Sequence, residues 1–277
     1  MPSTPLDVAG PGRGNRRLAR KVENRRAVML NCLAGGAELP VEEIVALTRA
    51  SPATVRRDLR RLEAEGLVRR SHGMVALAES RGFEPFLGDP GFREQVHRMA
   101  AEKRRIGAAA AALVEDGQTV ALAAGTTVAQ MSRILRSRRN LTIQTNALNV
   151  AMDLSRETHL TVHVTGGYLG GNWLALVGPK ALAAISEIFT DMFFFGANGV
   201  HPEHGVTDRH PEEAAANQAM ARQARKRVLL VDHTKFGRTA PHLVCRAQEL
   251  DVIITDQAAG EEMIEPFQRL GVKVVRV

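Results

Sequence analysis

The chain has 277 residues, an ordinary apolar content and few aromatic side chains, which is enough for two domains with proper cores. No apolar run is long enough to cross a membrane, and two lone cysteines, Cys32 and Cys245, form neither a disulfide framework nor a metal-ligand spacing. The formal net charge is +7. Fourteen of the 37 basic residues but only nine of the 30 acidic ones fall in residues 1–80, so +5 of the excess lies there and points to a polyanion partner at that end.

Residues 1–15 are rich in glycine and proline and are expected to form a disordered tail. The N-terminal arginines have no apolar segment behind them, which argues against a secretory signal and makes a cytoplasmic location the expectation. A first helix is expected from about residue 16 to residue 33, with Val22, Met29, Leu30 and Leu33 inward, broken by Ala34-Gly35-Gly36. Pro40 opens a second short helix whose apolar residues are Ile44, Val45 and Leu47.

The stretch from Ser51 to Arg70 organises this half. Ser51 suits an N-cap, Pro52 the first helical position and Gly66 a left-handed C-terminal residue. Val55, Leu59 and Leu62 fall on one face, while Thr54, Arg56, Arg57, Arg60 and Arg61 fall on the other. A short helix with a basic, hydroxyl-bearing outer face fits a DNA major groove, although a merely solvated face is the plainer reading of an arginine run. Leu67 to Leu77 reads as two short strands around His72-Gly73.

Residues 78–93 read as a linker, and Glu94 to Glu115 as an alanine-rich helix. From Gly117 onward, short β-branched or apolar runs alternate with helical segments, which implies a mostly parallel sheet with helices on both faces. In such sheets ligands bind at the carboxyl ends of the strands. One of these ends is Gly125-Thr126-Thr127, where free N–H groups and two hydroxyls at a helix start favour an anion; an ordinary helix cap is equally compatible with it. Others are Thr145-Asn146, Thr165-Gly166-Gly167, Asn198-Gly199 and Asp232-His233-Thr234-Lys235. Together they suggest a small polar ligand with an anionic group, with Lys235 as its fixed positive charge.

The N-terminal half resembles the DeoR-type winged helix-turn-helix. The matching residues are Arg25 and Met29, Val41-Glu42-Glu43-Ile44, the run from Ser51 to Leu59, Leu62-Glu63, Gly66, Arg70 and His72-Gly73. The rest resembles the sensor domain of the same repressors, related to the sugar-phosphate isomerase fold. That match rests on Gly125-Thr126-Thr127, Thr145-Asn146, Gly166-Gly167, Gly178-Pro179, Gly196 to Gly199, Gly205 to Thr207, Glu213-Ala214 and Asp232 to Gly237. The resemblance implies an α/β protein with a winged helix-turn-helix at 16–77 and an effector-sensing domain at 94–277. It implies a transcriptional regulator of sugar metabolism, most simply a repressor, that binds operator DNA as a dimer or tetramer and is controlled by a phosphorylated sugar, with no cofactor, no metal and no membrane partner. DNA contacts are then expected from Ser51, Thr54, Arg56, Arg57, Arg60, Arg61, Arg70 and His72. Effector contacts are expected from Gly125, Thr126, Thr127, Asn146, Gly166, Gly167, Asn198, Gly199 and Lys235.

Several positions depart from the family pattern. Thr48 and Ala50 stand where larger apolar residues are usual. Met74 replaces a second wing glycine, and since methionine tolerates a positive φ poorly, the wing turn is expected to differ in shape. Ala123 and Asn198 stand where aspartate is common, leaving a less acidic pocket. Two rival readings remain at this level. An aldose–ketose isomerase needs a carboxylate base, for which Asp232 or Glu213 could serve. A metal-responsive regulator could use His201, Glu203, His204, Asp208 and His210, although their spacing matches no closed four-ligand pattern.

Overall fold

The computed structural model describes residues 22, 24–26, 28–30, 32–33, 38–64, 67–78, 94, 96, 98–170 and 174–277. The tail at 1–15, the helix-breaking glycines, Gly66 and nearly all of the 78–93 segment lie outside these residues.

In the N-terminal half the described residues between 22 and 33 are helical. They are followed by β1 (Leu39–Pro40), α1 (Val41–Thr48), α2 (Pro52–Ala64), β2 (Val68–Ser71) and β3 (Met74–Leu77). Met29, Leu30, Leu33, Ile44, Val55, Leu59, Leu62, Val68 and Val75 form one buried cluster, so the apolar stripe of α2 does face inward. Leu47 is exposed instead, because Val41 and Ile44, one turn apart, take the inward row of α1. Strands β2 and β3 pair antiparallel with Ser71 opposite Met74. Their two-residue turn places His72 and Gly73 at φ 49 and 81, the mirror-image geometry that matches strand twist. Met74 thereby sits in the strand and needs no positive φ.

The C-terminal half is built on a seven-stranded sheet. Its elements are α3 (Ala100–Ala112), β4 (Thr119–Leu122), α4 (Thr126–Leu135), β5 (Thr142–Thr145), α5 (Leu148–Leu154), β6 (Thr161–Val164), β7 (Tyr168–Gly170), β8 (Ala175–Val177), α6 (Pro179–Ser186), β9 (Thr190–Phe195), β10 (Gly199–His201), β11 (Gly205–Asp208), α7 (Pro211–Gln223), β12 (Ala224–Leu230), β13 (His242–Cys245), β14 (Val252–Thr255), α8 (Glu261–Arg269) and β15 (Lys273–Arg276). The sheet order is β15-β14-β12-β9-β4-β5-β6, and each neighbouring pair is parallel. Alternate residues enter two separate cores. Val120, Leu122, Phe194, Val228, Leu230 and Ile254 pack with Ile106 of α3, Met131 of α4 and Val150 of α5. Ala121, Phe193, Phe195, Leu229 and Ile253 pack with Ile185 of α6, Met220 of α7 and Phe267 of α8. Burial on both faces is what makes these strands read as nearly continuous apolar runs.

The chain leaves β4 toward β5 and β6, and later leaves β9 toward β12, β14 and β15. The strand order therefore reverses between β4 and β9, where a crevice opens at the carboxyl ends. Two small antiparallel sheets, β7-β8 and β10-β11-β13, lie outside the parallel one. The alternation of long apolar runs with helices did not announce them.

Candidate functional site

The first candidate surface is the outer face of α2. Ser51 accepts the Thr54 N–H at 3.3 Å and its hydroxyl lies 2.8 Å from that of Thr54, so the helix start is capped as its sequence suggests. Val55, Asp58, Leu59 and Leu62 are buried, while Arg56, Arg57, Arg60 and Arg61 are exposed along the opposite face. Among the described residues none of these four guanidinium groups is ion-paired. His72 is exposed at the wing turn with its Nδ1 2.9 Å from the Ser71 hydroxyl. Arg70 is also exposed but lies 3.6 Å from Glu63, so a phosphate would have to compete with that carboxylate. Asp58, in the middle of the arginine run, points the other way. It is buried and takes the Arg25 guanidinium at 2.6 and 2.7 Å, which fastens the leading helix to α2.

The second candidate site is the crevice at the switch point. It is lined by Ala124 to Thr127 after β4, Gly196 to Asn198 after β9, Leu230 to Asp232 and Lys235 after β12, Asp208, His210 and Glu213 around the start of α7, and Lys103 of α3. Gly125 is the N-cap of α4 and brings no capping side chain, so the first-turn N–H groups of that helix are left open toward the crevice. Two cations face the same region. Burial pushes Lys103 down to about 8, partly offset by Asp232 and reinforced by Lys235 and Arg98. Lys235 is lowered in the same way, chiefly by burial. Its one-turn helix, His233 to Lys235, is held at its first two residues. Asp232 accepts the N–H and hydroxyl of Thr234, and Asp256 accepts the His233 N–H at 2.7 Å while lying 2.8 Å from His233 Nδ1.

Two carboxyls near the start of α7 also line the crevice. Burial pushes Glu213 up to about 8, and the Asp208 charge adds to that, so its carboxyl is protonated at neutral pH. Asp208 is raised by burial as well, although its Oδ1 accepts the N–H groups of Arg209 at 2.7 Å and His210 at 3.3 Å. Asn198 accepts the Arg209 N–H through Oδ1 at 2.9 Å, which turns its amide N–H₂ the other way, as a donor where a carboxylate would accept. The crevice is thus bipolar: amide and ammonium donors, with Asp232 beside the lysines, and the carboxyls of Asp208 and Glu213, both raised by burial. A ligand with an anionic end and a hydroxyl-bearing end matches it.

Of the residues singled out in the sequence, Gly125, Thr126, Thr127, Asn198 and Lys235 meet in this crevice. The others do not line it. Asn146 is buried and structural, its side chain accepting the Ala124 N–H and donating to the Leu176 carbonyl. Gly166 and Gly167 follow β6, the edge strand, two strands away from the switch point; a Cβ on Gly167 would lie 2.3 Å from the Val177 carbonyl oxygen. Gly199 belongs to β10 and is packed against Arg238, whose carbonyl oxygen would be 2.4 Å from an added Cβ. Ala123 is fully buried in the core on the second sheet face, so its departure from aspartate is a packing change. Lys103, Asp208 and His210 also line the crevice, and the sequence pattern does not mark them as contacts with an anion. Lys103 sits in a mixed-charge run that reads as a solvated face, and no periodicity distinguishes it from its neighbours.

The histidines of the metal reading divide. His201, Glu203 and His204 gather within 4.8 Å at the end of the β10–β11 hairpin, while His210 and Asp208 line the crevice instead. His201 Nδ1 accepts the N–H groups of Glu203 and His204 at 3.2 and 3.3 Å, so that ring nitrogen closes the turn.

Comparison with known proteins matches residues 25–81 to the DeoR-like helix-turn-helix domain and residues 98–257 to the DeoR C terminal sensor domain. The chain belongs to the DeoR family. It is a transcriptional regulator and not an enzyme: its helix-turn-helix binds DNA and its sensor domain takes a small-molecule effector. Relatives include the HTH-type transcriptional regulator GolR of Listeria innocua, 30% identical over 90% of this chain and 96% of the relative. The HTH-type transcriptional regulator GlpR of Haloferax volcanii is 34% identical over 81% and 86%. The glycerol-3-phosphate regulon repressor of Escherichia coli is 30% identical over 78% and 83%. Among the described residues no helix is long and apolar enough to cross a membrane.

Proposed function

We infer that this DeoR-family chain represses sugar-metabolism genes and that a phosphorylated sugar bound in the β4–β9 crevice sets its affinity for operator DNA. One observation carries the reading: the uncapped N-terminus of α4 shares a crevice with Lys103 and Lys235, a donor set suited to a phosphate dianion. Asn198, Asp208 and the protonated Glu213 then meet the sugar hydroxyls. The relative named as a glycerol-3-phosphate regulon repressor agrees in chemical class.

On this reading the winged domain spans 16–77, the linker 78–93 and the sensor 94–277. Thr54, Arg56 and Arg57 lie nearest the bases, Arg60 and Arg61 along the backbone, and Arg70 and His72 reach phosphates from the wing. A single winged domain reads a short half-site, so the working form is a dimer or tetramer. The exposed Met152, Val164, Tyr168 and Leu169 around edge strand β6 support a self-association surface on the sensor.

The test is a thermal-shift screen of the full chain against sugars and their phosphate esters. A ligand that binds only the folded state raises the midpoint. Phosphate esters are expected to do so and the parent sugars are not. Equal shifts from the unphosphorylated sugars would overturn the assignment of the anion site.

A further inference from the structure

We propose that Lys103 is the residue through which a bound anion acts on the DNA-binding half, whereas Lys235 supplies affinity without transmitting the signal. The proposal rests on the crevice being the effector site and concerns how that site is regulated.

The argument starts from the origin of each wall. Among the described residues of the crevice, Lys103 is the one contributed by α3; the others come from strand ends, the loops after them and the starts of α4 and α7. Helix α3 lies early in the sensor, after the helical residues 94 and 96 and the left-handed Met99. A force on Lys103 is therefore applied at the lining residue nearest in sequence to the DNA reader. Lys235 differs in this respect. Its turn is pinned by the preceding Asp232 and by the buried Asp256, which follows β14, so it is a fixed pole on the sheet.

Helix α3 also lies directly on α4. A Cβ added at Gly107 would come within 2.9 Å of both the Gln130 Cβ and the Met131 backbone nitrogen, so only glycine allows this approach. The N-terminus of α4 is the anion-binding turn. An anion seated there is thus bracketed by the two packed helices and by Lys235. Without it, the Lys235 charge lowers the affinity of Lys103 for a proton, against the opposing pull of Asp232. With it, that repulsion becomes attraction to a common centre. An anion therefore favours whichever placement of α3 brings Lys103 inward, and a ligand that discriminates two placements shifts their populations.

The test uses the full chain and an operator fragment, followed by fluorescence anisotropy. Glycerol 3-phosphate, fructose 1-phosphate and glucose 6-phosphate serve as probes, each at about a hundred times its own Kd for the variant concerned, so that weaker binding is compensated. The wild-type chain is expected to change operator affinity by roughly 5- to 150-fold with at least one probe. Lys235→Met should bind that probe at least tenfold more weakly yet give the wild-type change at saturation. Lys103→Met should give less than a twofold change at saturation. A wild-type change in Lys103→Met overturns the proposal. Where Lys103→Met fails to fold or to bind, Gly107→Ala decides: it touches no ligand, and the proposal requires it to keep the probe's Kd while reducing the change. A full change in Gly107→Ala overturns the proposal equally. If no probe alters operator affinity in the wild-type chain, the reading of the crevice as a sugar-phosphate sensor fails first, and this inference with it.

Discussion

Raising the pH should weaken effector binding steeply above neutrality, and the crevice sets the size of the effect. Lys103 and Glu213 both titrate at about 8 in the free protein, and both lose a proton as the pH rises. Lys103 then loses the charge that attracts the phosphate, and Glu213 gains one that repels it. Between pH 7 and pH 9 each group passes from about one-tenth to about nine-tenths deprotonated, so a ligand that requires the protonated form loses about tenfold in affinity per group. The two together give about 100-fold, or ~2.7 kcal/mol. Lys235, also lowered from its ordinary range by burial, acts in the same direction. Below about pH 6 the ligand's own phosphate begins to protonate and affinity falls again. Calorimetric titration from pH 5.5 to 9.5 with a sugar phosphate from the screen should therefore trace a maximum near neutrality. Lys103→Met should retain only the Glu213 part of the alkaline fall, about tenfold. An affinity that is flat from pH 7 to 9, or rises, would refute the bipolar crevice.

Three other outcomes follow from the same structure. Asp58→Ala leaves the Arg25 guanidinium unpaired in a largely buried position and should cost the winged domain about 3 kcal/mol in urea denaturation; a loss under about 1 kcal/mol would deny the pair its anchoring role. Arg57→Ala should lower operator affinity roughly 5- to 150-fold while leaving the thermal midpoint in place, and unchanged operator binding would remove α2 from the major groove. Phe194→Ala, in the middle of a fully buried strand, should destabilise the sensor by about 3–5 kcal/mol, read from its melting transition.

The elements most legible in the sequence were those whose residues meet local and tertiary demands at once. Helix α2 carries a serine cap, an N1 proline and an apolar stripe in one register, and each has the same role in the fold. The central parallel strands were legible because burial on both faces leaves nearly uninterrupted apolar runs. What stayed hidden depends on strand order. Asn146, Gly166, Gly167, Asn198 and Gly199 all look alike as polar strand ends, but only the ends near the β4–β9 reversal share a crevice. Asn198 lies there, while Gly166 and Gly167 follow the edge strand. Strands of three or four residues, such as β10 and β11, are too short for alternation to distinguish them from loops, and Asp208 reaches the crevice by way of them. Lys103 was invisible for a different reason. Helix packing aims it at the crevice, and nothing in the run from Glu102 to Arg105 sets one charge apart from the next.

The central claim, that a phosphorylated sugar in the crevice governs DNA affinity, meets its most direct test in one titration. Operator binding by the full chain would be measured at fixed physiological salt, with and without a saturating sugar phosphate and with the parent sugar as control. A change of roughly 5- to 150-fold is expected with the phosphate and none with the parent sugar. Equal operator affinity in all three conditions, across the whole panel of sugar phosphates, would contradict it.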